Sequence, residues 1–97
     1  MVASASDKLL KVGNPGSATT LSAPGYTIAD TAITVGSTSN WSTDTGVVFA
    51  IDEAEVVDGR EVQVAGTYNE YIGTVASGTG VTNVAWQTGV GDRNYAS

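Results

Sequence analysis

Five runs along the chain gather apolar residues at strand length, and no window repeats them at the 3.6-residue spacing of a helix. Ala32 to Val35 is short and β-prone, and the polar stretch Gly36 to Gly46 that ends it reads as a loop with Trp41 as its one large apolar residue. In Val47 to Ile51, the side chains of Val47, Phe49 and Ile51 share one face while Val48 and Ala50 share the other. Both faces are therefore apolar, which predicts a central strand. Asp58-Gly59 is a turn dipeptide and predicts a hairpin into Val62 to Ala65. Thr67 to Ala76, dense in Thr, Tyr, Ile and Val, predicts another strand, and Ser77-Gly78-Thr79-Gly80 reverses the chain into Val81 to Trp86.

Short strands separated by Gly-containing turns predict an all-β fold, a small antiparallel sandwich or barrel of about five to seven strands. The first quarter of the chain differs. Its compact apolar cluster is Leu9, Leu10 and Val12, and the turn signals Asn14-Pro15-Gly16 and Ala23-Pro24-Gly25 forbid a long helix. Residues 1–25 thus read as an extended N-terminal arm and 26–97 as the β domain. Asp7 to Val12 has room for one helical turn capped by Ser6, though so short a helix needs packing to persist. Leu9 and Leu10 either close the domain's own core or plug a neighbour's groove.

Composition narrows the chemistry. The 97 residues include no Cys and no His, with ten acidic and four basic side chains and a net charge of −6. His is the side chain that titrates unperturbed near neutrality and Cys the strongest unassisted nucleophile, so the usual catalytic constellations lack a member and an enzyme is disfavoured. Neither disulfides nor a Cys/His zinc site can supplement so thin a core, which leaves oligomerisation or docking on an assembly as the source of extra stability. The charge repels phosphate backbones and anionic membranes, and no stretch reaches the length of a membrane span. Neither nucleic acid nor membrane is expected as a partner.

Three constellations remain to be weighed. Asp52, Glu53, Glu55, Asp58 and Glu61 cluster around the hairpin, but Val56 and Val57 interrupt any calcium-loop spacing and no acidic residue closes it. The cluster reads as a solvated hairpin rim, and no metal, cofactor or catalytic residue is assigned. The pairs Gly78 and Gly80, and Gly89 and Gly91, lack the Lys and helix of a phosphate loop and read as turns. Among the aromatics, Trp86 is expected in the core, while Trp41 divides evenly between core and surface contact.

Several short segments carry a resemblance. They are Ile33-Thr34-Val35-Gly36-Ser37-Thr38 before an aromatic, Thr43-Asp44-Thr45-Gly46 before an apolar strand ending in Ile51-Asp52, and Thr67-Tyr68-Asn69-Glu70-Tyr71-Ile72-Gly73. Ser77-Gly78-Thr79, Gly91-Asp92-Arg93-Asn94-Tyr95 and the opening Ser6-Asp7-Lys8-Leu9-Leu10-Lys11-Val12-Gly13 complete the set. Together they resemble structural proteins of tailed-bacteriophage virions: capsid decoration proteins, minor capsid proteins and the base modules of head and tail fibres. The resemblance implies a non-enzymatic protein on the particle surface. It would be held by the arm and a sheet face against the major capsid protein or another virion protein, as an oligomer or in repeated copies. In such proteins the closing segment usually runs on toward another Gly-rich strand, so a sequence that stops at Ser97 is either a short gene product or part of a longer one. The acidic hairpin is longer than the pattern has. The contact residues expected are Leu9, Leu10 and Val12, with Lys8 and Lys11 facing acidic shell protein and Trp41 in its loop. The other reading is a carbohydrate-binding β-sandwich that stacks sugars on Trp41, Tyr68, Tyr71 and Trp86.

Overall fold

The computed structural model describes residues 9–12 and 18–97, the former by their backbone. The chain is all-β. Its strands are β1 (Leu9–Val12), β2 (Thr19–Thr20), β3 (Ala32–Thr34), β4 (Val47–Val57), β5 (Arg60–Gln63), β6 (Asn69–Val75) and β7 (Gly80–Gly89). They pair antiparallel in the order β2-β1-β4-β6-β7-β3. The two ends of that order then meet. Leu21 bridges Val35, the Ser22 amide donates to the Thr34 carbonyl at 2.9 Å, and the Gly36 amide donates to the Thr20 carbonyl at 2.9 Å. The sheet thereby closes into a six-stranded barrel, which removes the open edges a flat sheet would carry.

Closure needs curvature, and β7 supplies it. Against β6 the register runs Thr74↔Thr82, then Ile72↔Ala85, then Glu70↔Thr88, so β7 gains one extra residue at each of two steps. The first step falls at Asn83, whose φ of 54° is the left-handed kink of a bulge. Each bulge bends its strand and adds twist, as a small barrel requires.

β4 serves two structures at once. Its first half, Val47 to Ile51, pairs with β6 inside the barrel wall, and its last four residues pair with β5 on the same side. The expected turn is present: Asp58 (φ 53°) and Gly59 (φ 74°) both take positive φ, as a two-residue type I′ loop demands. The valine run 56–57 extends the strand through the acidic stretch, so β4 is 11 residues long and the hairpin closes at Val57↔Arg60, earlier than the sequence pattern placed it. Thr67 fills the seam where β5 gives way to β6. Its hydroxyl accepts the Glu53 amide at 3.0 Å and donates to the Val64 carbonyl at 2.7 Å.

Residues 9–12 form a strand and not the helical turn that Ser6 and Asp7 suggested; β1 lies between β2 and β4, with Leu9 opposite Ala54 and Val12 opposite Ile51. The described part of the segment read as an arm thus contributes two strands and, through buried Leu21, one core residue.

The interior is filled by large side chains. Phe49, Ile51, Tyr71, Val35, Val81 and Tyr95 are all essentially inaccessible. Through the middle runs a line of rings: Trp41 to Phe49 at 5.4 Å, Phe49 to Tyr71 at 5.9 Å, Tyr71 to Tyr26 at 5.1 Å and Tyr26 to Tyr95 at 6.4 Å. Trp41 reaches this line because Thr38 pins its loop to the β6–β7 turn. The Thr38 hydroxyl donates to the Ser77 carbonyl at 2.6 Å, and the Trp41 amide donates back to Thr38 at 2.9 Å. Packing in the core is tight at Gly73, where a Cβ would stand 2.8 Å from Val81 Cγ1 and 3.1 Å from the Phe49 ring. Gly73→Ala is expected to lower stability by about 1–3 kcal/mol through overpacking, a shift in the urea midpoint with unchanged slope. A variant as stable as the parent would show that this wall yields.

Candidate functional site

The densest chemistry gathers at one end of the barrel, where β6 begins and the C-terminal segment 91–97 crosses the opening. Alternation along β6 turns Asn69 and Tyr71 inward, and Asn69 is fully buried. Its carboxamide uses both ends. Nδ2 donates to the Gly91 carbonyl at 2.8 Å and to the Tyr95 hydroxyl at 2.9 Å, while Oδ1 accepts from Trp86 Nε1 at 2.9 Å and from the Gly91 amide at 3.1 Å. The Tyr95 hydroxyl in turn directs its single proton to the carbonyls of Thr67 and Ile51. A reciprocal bridge between the backbones of Tyr26 and Tyr95, at 2.8 and 2.7 Å, ties the segment to the loop after β2.

Beside this amide lies a second centre. Asp92 accepts from the Tyr26 hydroxyl at 3.0 Å and from the Tyr71 hydroxyl at 3.0 Å. Burial first, and then the bond to Asp92, pushes the Tyr26 hydroxyl up to about 12, and the same two causes raise Tyr71 further. Both phenols therefore remain protonated donors, the opposite of what an activated tyrosine nucleophile requires. Arg93 lies 4.9 Å from the centre of the Tyr95 ring and 3.5 Å from the Glu53 carboxylate. Among the described residues every buried side-chain nitrogen and oxygen has a partner. The end of the barrel is a lock whose hydrogen-bonding capacity is spent internally.

The acidic cluster is dispersed by strand geometry. Neighbouring residues of β4 face opposite sides, so Asp52 points outward, where Gln63 Nε2 reaches it at 2.7 Å, while Glu53 turns inward to Arg93. Among the described residues no three acidic groups converge on a metal position.

Of the two tryptophans, Trp86 departs from the core place expected of it, and Trp41, open between core and surface, lies in the core. Trp41 is 8% exposed and packed on Phe49, which leaves it little surface for a partner, whereas Trp86 is 39% exposed with its indole N–H held by Asn69. Of the four rings in the sugar-stacking reading, Trp41 and Tyr71 are inside, and Tyr68 and Trp86 keep an open face. Lys8 lies outside the described residues, and so do the side chains of Leu9, Leu10, Lys11 and Val12. Asn69, Asp92 and Tyr95 were missed as a unit because Asn69 is far from the other two in sequence; the Asn inside the strand run Tyr68-Asn69-Glu70-Tyr71 was the one local signal, a residue disfavoured in strands.

A shallow depression of about 350 Å³ lies between the Pro24-Gly25 turn and β3, lined by Asp30 to Thr34. The Asp30 carboxylate accepts the Thr27 amide at 2.9 Å there. No protein-family model matches the chain, and no curated protein or solved structure matches it significantly.

Two outcomes test the lock. Asn69→Ala strips partners from Trp86, Gly91 and Tyr95 together and is expected to cost about 3 kcal/mol or more in urea unfolding; a loss under 1 kcal/mol would mean water replaces the amide. The raised tyrosines make stability pH-dependent. Their contribution is fully present below pH 10 and is lost as pH rises, through about 12 for Tyr26 and beyond it for Tyr71, because the unfolded chain releases these protons first. For Tyr26 alone the loss is roughly 3 kcal/mol. Circular dichroism and tyrosinate absorbance followed together should fall and rise in that window, and undiminished stability at pH 12 would contradict the assignment.

Proposed function

We propose that this chain is a non-enzymatic structural protein of a tailed-phage particle, which decorates the capsid or anchors a fibre at its surface. The observation that carries the reading is the solid barrel: its interior is packed with rings from Trp41 to Tyr95, and its buried polar groups are consumed in holding strands together. A module so built offers its outer surface. The resemblance of its Thr/Gly-rich strand segments to virion proteins supplies the context, and the short core explains why an assembly would add stability. Because β1 is a member of the barrel, removing residues 1–12 would take away a wall strand together with any arm contact. The intact chain is the proper subject of the test.

Quantitative mass spectrometry of purified particles, scaled to the major shell protein, gives the copy number. Hundreds of copies are expected for a decoration protein on the lattice, and about a dozen or fewer for a neck or fibre base. Absence from the particle overturns the reading. The open faces of Tyr68 and Trp86 then favour the carbohydrate-binding alternative, which a glycan-dependent shift in Trp86 emission would support.

A further inference from the structure

A barrel wall that faces water ordinarily alternates apolar inside with polar outside. On β4, β6 and β7 the outer positions break that rule. The register places Val48 opposite Ile72, and Ile72 opposite Ala85, so an apolar row crosses three adjacent strands. Val48 is 49% exposed, Ala85 is exposed and Ile72 half-buried. The next row is Ala50, Glu70 and Thr88, and at its margin Val90 donates its amide to the Tyr68 carbonyl at 3.1 Å. Val90 and Tyr68 are 56% and 40% exposed. Glu70 thus sits within a largely apolar sheet face. One of its oxygens accepts the Tyr68 hydroxyl at 2.9 Å, and a carboxylate retains acceptor capacity beyond one such bond.

We infer that this outer face of β4, β6 and β7 is the docking surface of the chain, and that its partner is a protein surface presenting apolar side chains around a Lys or Arg that pairs with Glu70. The inference rests on the reading of the chain as a component of an assembly and names the side by which it attaches. Charge decides the partner. The two charged side chains of the face are Glu70 and Asp52, both acidic, with Asp52 already served by Gln63 and opposite Lys11 in register. Of the two arginines, Arg93 is drawn to Glu53 at the end of the barrel, and Arg60 closes the hairpin opposite Val57, on the other face of β4. A second copy would bring acidic face to acidic face in a chain of net charge −6, whereas a cationic partner gains a charge-assisted bond amid desolvated apolar surface.

Particle occupancy reads the test, with variants checked for parental circular dichroism. Val48→Asp and Glu70→Lys are expected to reduce copies per particle at least tenfold, with Val48→Ser and Glu70→Gln reducing them less. Val62→Asp on the projecting hairpin should leave occupancy unchanged. Parental occupancy in both Val48→Asp and Glu70→Lys, with the wild-type chain present, overturns the docking face and spares the reading of the chain as a virion component. A wild-type chain absent from particles overturns both. Sedimentation that finds a micromolar dimer abolished by Val48→Asp overturns the cationic partner in favour of a second copy.

Discussion

A barrel of six strands encloses too little space for a ligand and too much to leave empty, and filling that space with aromatic rings governs the rest of this structure. Rings are the economical filler for a chain with few large aliphatic residues, but three of those used here are tyrosines and bring hydroxyls inside with them. Each hydroxyl needs a partner, since an unpaired buried polar group costs about 1–3 kcal/mol. Asp92 and Asn69 are the answer, and both stand where the C-terminal segment can be caught. The same demand that satisfies the tyrosines therefore fastens residues 91–97 across the barrel opening.

Glycine appears where that packing leaves no room. Gly73 lets Phe49 and Val81 approach across β6, and Gly25, at φ 86°, makes the close pass against the Tyr95 backbone. The bulges of β7 belong to the same solution. They turn the strand inward far enough for Val84 to face the core after Val81, where strict alternation would have placed Asn83.

Much of this was legible in the chain. The uninterrupted apolar run of Val47 to Ile51 found the central strand, and Asp58-Gly59 found the hairpin, because both signals are local. The strand at Leu9–Val12 escaped, since four residues ahead of a turn signal carry no period and their state is settled by β4, some forty positions on. Trp86 was expected inside and Trp41 left undecided because hydrophobicity alone ranks them equally. What separates them is Thr38, which draws the loop carrying Trp41 down onto Phe49, and Asn69, which holds Trp86 at the rim by its N–H. Neither bond connects neighbours in sequence. The outer apolar row was visible only as the second face of a strand read as central, and the closed barrel leaves that face uncovered.

The placement of the two tryptophans gives the molecule a built-in pair of optical reporters in different surroundings, one buried and one at the rim. Trp41 senses the ring-lined interior beside Phe49, while Trp86 senses the Asn69 carboxamide that also holds the C-terminal segment. Emission from the first follows integrity of the core, and emission from the second follows the fastening of the segment. Opening of the C-terminal end without unfolding would thus have a spectral signature of its own, in the unlabelled protein.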